Sequence, residues 1–309
     1  MAVADNQKTM EGLSSKFVTV IPEHYGSVGV RWLDKIDDRL DRYLKRWELR
    51  RLNQLPMTGG RSLIIPCLNK RGKEVVLKMC PDPLALQREH DGLRHWQTSD
   101  KTVKVVRGNG ARGAFVLEKL QGPMPTSLDE DILLQVAEVV DAIHGCPGAL
   151  AATSAEQHIS SIMAHCIGRI SHPRVASLVA TEDLKQAIDG ALSLSLSADL
   201  SDMALLHGDL HLENLIVDPK RGLTAIDPKP FIGERAAEIA FLVRNAGPVY
   251  ELSSRIERAS LACAVDPERT LAWTRVVLLD TAISHARFRK SSTESINAMV
   301  RFCRSGQLP

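Results

Sequence analysis

The apolar spacing of this chain changes character at Gln121-Gly122-Pro123-Met124-Pro125. Between residue 50 and that break, hydrophobic residues alternate as in strands; beyond it they recur mostly at the spacing of helices. Such a chain must bury one apolar face on a sheet and another among helices. Its 309 residues are enough for one large domain or for two lobes.

The part before the break starts with a predicted helix over residues 29–49. Trp32, Leu33, Ile36, Leu40, Tyr43, Leu44 and Trp47 share one of its faces, and Asp34, Asp37, Asp38, Asp41 and Lys45 the other. A short strand is expected at 51–54, then a turn at Pro56-Met57-Thr58-Gly59-Gly60-Arg61. Apolar runs at 62–68 and 73–79, around Asn69-Lys70-Arg71-Gly72, read as a hairpin. A helix at 83–96 and a strand pair at 101–107 and 114–119 complete this part.

After the break, Ser127-Leu128-Asp129-Glu130 reads as a capping box opening a helix that runs to 144. Further helices are predicted over 155–170, 182–200, 234–246, 251–263 and 267–289, the last opened by Asp266-Pro267. Strands at 204–206, 215–217 and 223–226 form an island among them. The expected fold is α+β and bilobal. A small antiparallel-sheet lobe with a leading helix spans 1–120, and a mainly helical lobe spans 121–309. A cleft between lobes is a natural ligand site.

Composition removes several function classes. A net charge of +2 and an aromatic content of 4% do not suit a nucleic-acid binder. No apolar run reaches membrane-spanning length, and the first residues lack a signal pattern. Six dispersed cysteines without a CxxC pair point to a reducing, cytoplasmic setting. No nucleic-acid or membrane partner is expected, and the chain is expected to be a monomer or weak dimer.

The chemistry gathers on His207-Gly208-Asp209-Leu210-His211-Leu212-Glu213-Asn214. Asp209 follows a strand in a tight turn, where a carboxylate can take a proton from a hydroxyl or orient it. Asn214 offers a hard, neutral oxygen suited to Mg²⁺. Asp227 ends the hairpin's second strand, which folds back beside the loop and supplies an anionic ligand. Lys78 stands in the apolar run Val75-Val76-Leu77-Lys78-Met79, where holding phosphate oxygens would explain it. Glu89, on the following helix, can fix its direction. Gly59 and Gly60 could present backbone amides to phosphates. Base, metal ligands and phosphate cation are what phosphoryl transfer requires. The spacing of His207, Asp209 and His211 would also suit zinc, but that leaves Asn214, Asp227 and Lys78 unexplained.

Together these residues resemble the aminoglycoside phosphotransferase branch of the protein-kinase-like fold. The streptomycin phosphotransferase and hydroxyurea-resistance kinase family is the nearest likeness. Lys78, Glu89, the 207–214 loop, Ala225-Ile226-Asp227-Pro228-Lys229 and Gly233-Glu234 carry the resemblance. It implies an ATP- and Mg²⁺-dependent kinase of a streptomycin-like hydroxyl. Asp209 would be the catalytic base, and Asn214 and Asp227 the magnesium ligands. Lys78 would hold the nucleotide phosphates with Glu89 as its partner, and backbone from Glu118 to Leu120 would meet adenine. Glu234 would sit near the cleft mouth and attract a cationic substrate. Pro228 stands where protein kinases place Phe, so no activation switch of their kind is expected. A different small alcohol, or a nucleotide-binding module without catalysis, remain the alternatives.

Overall fold

The leading helical spacing folds as two helices rather than one. In the computed structural model, which describes residues 13–52, 57–59, 61–147 and 152–305, α1 spans Ser15–Asp34 and α2 spans Ile36–Trp47. Ser14 caps α1, its Oγ accepting from the Phe17 amide at 3.2 Å. Gly26, at φ 54°, kinks α1. Gly29 allows the close approach that follows, because a Cβ there would meet the Ile21 carbonyl at 2.5 Å.

The chain divides into two compact units. The first comprises Met1–Gln97 and Val103–Leu120; the second comprises Thr98–Thr102 and Gln121–Pro309. In the first unit the remaining elements are β1 (Arg50–Arg51), β2 (Met57–Gly59), β3 (Ser62–Leu68), β4 (Glu74–Met79), α3 (Pro83–His95), β5 (Val105–Asn109) and β6 (Ala114–Glu118). The strands make one sheet in the order β1-β3-β4-β6-β5, with β2 added to β3, and every pairing is antiparallel. Alternation along β3 and β4 sends Leu63, Ile65, Cys67, Val75, Leu77 and Met79 to one buried face. There they pack with Phe17, Ile21, Trp32, Ile36, Leu40 and Trp47 from the helices. Met57–Gly59 was expected to turn but pairs as a strand. The strand expected at 51–54 is only Arg50–Arg51, and residues 53–56 lie outside the described residues.

The second unit holds α4 (Glu130–His144), β7 (Thr153–Ser154), α5 (Ala155–Ile170), α6 (Pro173–Ala176), α7 (Thr181–Leu196), β8 (Met203–Leu206), β9 (Leu215–Asp218), β10 (Gly222–Ala225), β11 (Phe231–Glu234), α8 (Arg235–Val243), α9 (Leu252–Ala262), α10 (Pro267–Phe288) and α11 (Thr293–Ser305). The cap of α4 is Asp129, which accepts from the Ile132 amide at 3.0 Å; Ser127 instead donates to Asp129. Asp266 caps α10 with Pro267 at its first turn, as the sequence suggested. Buried Trp273, Val277, Leu278 and Ile283 run along α10, which packs against α5, α7, α8, α9 and α11. Residues 98–102 belong to this unit although the chain enters the first unit on either side of them. The Lys101 carbonyl accepts from the Ala225 amide at 2.8 Å, and the Lys101 ammonium meets Glu138 at 2.5 Å.

Two small sheets set up the polar loop. β9 and β10 form the expected antiparallel hairpin. β8 pairs antiparallel with β11, which also pairs in parallel with β7.

Candidate active site

Within the first unit, Lys78 lies on β4 and its Nζ donates to Glu89 Oε1 of α3 at 2.6 Å. Both side chains are buried. Burial on this scale requires compensation, and the pair supplies it. Glu118 ends β6, and its Oε1 accepts from the Lys104 amide at 2.8 Å. Leu120 follows, partly buried. Gly59 lies on β2 opposite Ser62, and Gly60 is outside the described residues.

Within the second unit, β8 delivers the chain into the 207–214 loop. Glu238 of α8 is buried, and its carboxylate accepts from the backbone amides of both His207 and Gly208, the latter at 3.1 Å. The His207 ring is buried and its Nε2 faces the Ile226 carbonyl at 3.0 Å. Burial pushes its pKa down. His207 thus braces the loop against the strand end at Ile226. Gly208 has φ 76°, and a Cβ there would meet the Lys229 carbonyl at 2.1 Å. Only glycine fits that turn without displacement.

The turn aims Asp209 at two cations. Lys229 Nζ donates to its Oδ2 at 2.5 Å, and an Arg244 Nη2 donates to its Oδ1 at 3.3 Å. His211 Nε2 is 3.8 Å from Oδ2. Burial alone would raise the Asp209 pKa; Lys229, His211 and Arg244 outweigh it and hold the group well below the usual carboxylate range. These cations favour the carboxylate form of Asp209.

Asn214 Nδ2 donates to the Asp209 carbonyl at 2.9 Å, and the Asn214 carbonyl accepts from the Ile226 amide at 2.9 Å. These bonds tie the loop to the strand end that carries Asp227. They also engage the nitrogen side of the Asn214 amide, leaving its Oδ1 as the acceptor end. Asp227 has φ 58°, a left-handed conformation that Asp adopts more readily than most residues and that is common at functional sites. An amide oxygen and a carboxylate are hard donors, a set that fits Mg²⁺ better than a soft metal. Among the described residues, no three His, Cys, Asp or Glu side chains gather as a metal-binding group.

Glu234 is engaged within the second unit. Its side chain is buried, with Arg269 donating to both of its oxygens at 2.8 Å and the Trp273 indole donating to Oε2 at 2.7 Å. A carboxylate enclosed in this way ties β11 to α10. Glu213 is exposed, as a surface residue would be.

Sequence reading missed Arg244 and the clamping role of Glu238. Lys229 stood in the quoted motif without a role. Arg244 lies 35 residues from Asp209, and nothing in its neighbourhood along the chain marks it.

Residues 46–292 match the model of the aminoglycoside/hydroxyurea antibiotic resistance kinase family. The chain belongs to this family. It is therefore a phosphotransferase that acts on a hydroxyl of a small molecule and draws the phosphoryl group from a nucleotide. The kinase is 25% identical over 266 residues to the hydroxyurea phosphotransferase of Kitasatospora aureofaciens, covering 85% of this chain and 76% of that protein. It is 24% identical over 242 residues to the streptomycin 6-kinase of Streptomyces griseus, covering 76% and 74%. Among solved structures, an amicoumacin kinase aligns with a TM-score of 0.63 at 12% identity, over 90% of the kinase and 96% of that chain. The choline kinase LicA of Streptococcus pneumoniae also reaches 0.63, at 14% identity, over 88% and 98%. These likenesses identify the fold as protein-kinase-like. Among the described residues, no helix of the kinase is long and apolar enough to cross a membrane.

Proposed function

We propose that this kinase transfers the γ-phosphoryl group of ATP, with Mg²⁺, to a hydroxyl of an aminoglycoside-type, streptomycin-like antibiotic. The observation that carries the reading is the 207–214 loop. Its Asp209 carboxylate is held anionic, and its Asn214 is tied through Ile226 to the strand end bearing Asp227. Two relatives named streptomycin 6-kinase support the acceptor class. A relative named hydroxyurea phosphotransferase supports a second acceptor, the hydroxyl of hydroxyurea.

In this reading Asp209 orients the acceptor hydroxyl for in-line attack and receives its proton as the new bond forms. Asn214 and Asp227 would hold the magnesium ion, which when bound would neutralise the nucleotide phosphates. Lys78, directed by Glu89, holds phosphate oxygens, and backbone from Glu118 to Leu120 meets the adenine. Glu238 and His207 keep the loop in shape. Glu234 has no part in substrate binding. Buried free thiols at Cys67, Cys80, Cys166, Cys263 and Cys303 support a reducing, cytoplasmic setting.

A screen of ATP consumption with streptomycin, other aminoglycosides, hydroxyurea and small metabolic alcohols tests the proposal. Magnesium-dependent turnover with streptomycin is expected, and Asp209→Ala should abolish it while ATP still binds. Wild-type turnover by Asp209→Ala would sink the mechanism; turnover confined to a metabolic alcohol would sink the acceptor class.

A further inference from the structure

Two cations close on the Asp209 carboxylate, and the mechanism above assigns neither a task. They are held differently. The Arg244 side chain is only 10% exposed. Its Cζ lies 4.7 Å from the centroid of the Phe241 ring, and its buried Nε has no acceptor. This guanidinium packs on the Phe241 ring and donates through Nη2 to Asp209 Oδ1.

Lys229 is anchored at its backbone and loose at its tip. Its amide donates to the His207 carbonyl at 2.8 Å, which fixes the position of its main chain. Its side chain is 50% exposed, and the ammonium reaches Asp209 Oδ2 at 2.5 Å. A flexible four-carbon stem lets such a head exchange one oxygen partner for another without moving the backbone.

Geometry supplies the second partner. A hydroxyl bound by Asp209 would lie about 3 Å from the carboxylate, and the phosphorus it attacks about 3 to 3.5 Å beyond. The transferring group would then come within roughly 6 Å of Asp209, inside the sweep of the Lys229 ammonium. Charge in the transition state of phosphoryl transfer spreads over three equatorial oxygens, and a cation placed there lowers the barrier.

We propose that Lys229 is a second catalytic residue, whose ammonium passes from Asp209 to the transferring phosphoryl group, and that Arg244 is the positioning residue that keeps Asp209 aligned when it does. This rests on the ATP-dependent transfer proposed above. In the step, the acceptor oxygen bonds to the γ-phosphorus, and the bond from that phosphorus to the β–γ bridging oxygen breaks. ADP leaves with that electron pair, and the hydroxyl proton passes to Asp209 and then to solvent. Lys229 forms no covalent bond; it donates an N–H to an equatorial oxygen as charge develops. It also shields Asp209 from the phosphates, whose like charge would otherwise oppose their approach.

The test uses the full-length protein with ATP and magnesium. The readouts are transfer to streptomycin, transfer to hydroxyurea and basal hydrolysis to water. Lys229→Ala should lose about 10²- to 10³-fold in kcat while its Kd for ATP stays within about 3-fold of wild type. Added ethylammonium should restore part of that kcat without changing thermal stability, and Lys229→Arg should retain more activity than Lys229→Ala. Arg244→Ala should lose kcat and gain nothing from ethylammonium, with Arg244→Lys partly active. A Lys229→Ala variant with near wild-type kcat, or one whose loss tracks lost ATP affinity and resists the amine, overturns the proposal. Asp209→Asn separates it from the parent reading. If Asp209→Asn is inactive and Lys229→Ala is not, only this inference fails. If Asp209→Asn turns over normally, or wild type transfers to none of the three acceptors, both fail.

Discussion

The Glu238 carboxylate of α8 accepts from the Gly208 amide at 3.1 Å, and its other oxygen accepts from the amide of His207. One buried side chain thereby satisfies two successive amides at a turn that no strand can serve. Glu238→Ala would leave both amides buried without acceptors, a loss of about 3 kcal/mol. Chemical denaturation should show this as a lower midpoint with an unchanged slope. Glu238→Gln, which keeps one carbonyl acceptor, should fall between the two.

Gly208→Ala tests the turn itself. The added methyl would meet the Lys229 carbonyl and a Phe231 ring carbon, at 2.1 and 2.8 Å, and the residue would hold a positive φ. Strain and displacement together should remove about 3 kcal/mol of stability. The sharper expectation is kinetic. Displacing Lys229 and Asp209 should reduce kcat by at least about 10²-fold even at temperatures where the variant stays folded.

The buried Lys78–Glu89 pair makes a test by difference. Removing either partner alone leaves a buried charge and should destabilise the protein by about 3 to 5 kcal/mol. Lys78→Met combined with Glu89→Leu removes both charges and should be less destabilising than the sum of the single changes. If Lys78 holds phosphate oxygens as proposed, the double variant should nonetheless bind ATP at least about 10-fold more weakly by calorimetry.

Glu234→Gln separates a structural carboxylate from a substrate-binding one. Arg269 and Trp273 converge on Glu234, so neutralising it should lower stability by about 3 kcal/mol. The KM for streptomycin should stay within about 2-fold of wild type. A large rise in KM with unchanged stability would instead place Glu234 at the substrate site.

His158 stacks on Phe231 with ring centroids 4.0 Å apart, and burial, with Lys229 adding to it, pushes its pKa from 6.5 down to about 4. Between those values the unfolded chain takes up a proton that the folded chain refuses. Stability is therefore complete above pH 6.5, falls as the pH drops through that window, and levels off near pH 4. Between pH 6.5 and 5 this group should contribute about 1 to 2 kcal/mol of loss. His158→Phe, which keeps the stacked ring, should flatten that part of the stability profile. His207, His211 and His285 shift in the same direction, so a residual slope is expected.

What could be read from the sequence was local. The β3–β4 hairpin was legible because strict alternation frames the Asn69-Lys70-Arg71-Gly72 turn, and the Asp266-Pro267 start of α10 was legible from its cap. β11 was not. Phe231–Glu234 is short and follows Pro230, and it becomes a strand only because β8 and β7 flank it, contacts distant in sequence. The leading helix was misread as one because nothing in its apolar stripe reveals the break at Lys35. For the site, residue types announced Asp209, Asn214 and Asp227. The residues that hold the His207–Gly208 turn and the Asp209 carboxylate, Glu238 and Arg244, come from another helix and carry no mark of it in their surroundings along the chain.

Residues 98–102 give the kinase a discontinuous blueprint. They complete the unit of Asp209 although they are encoded amid the other, and the Ala225 amide, two positions before Asp227, is satisfied by Lys101. A chimaera cut at the Gly-Pro-rich break near residue 121 would import a foreign strand partner at this point. Exchange of the first unit between relatives therefore has a hidden compatibility rule. A transplanted segment must bring a stretch that matches 98–102 to its new host, and recombination that ignores this would disturb the strand end leading to Asp227 without altering any residue of the 207–214 loop.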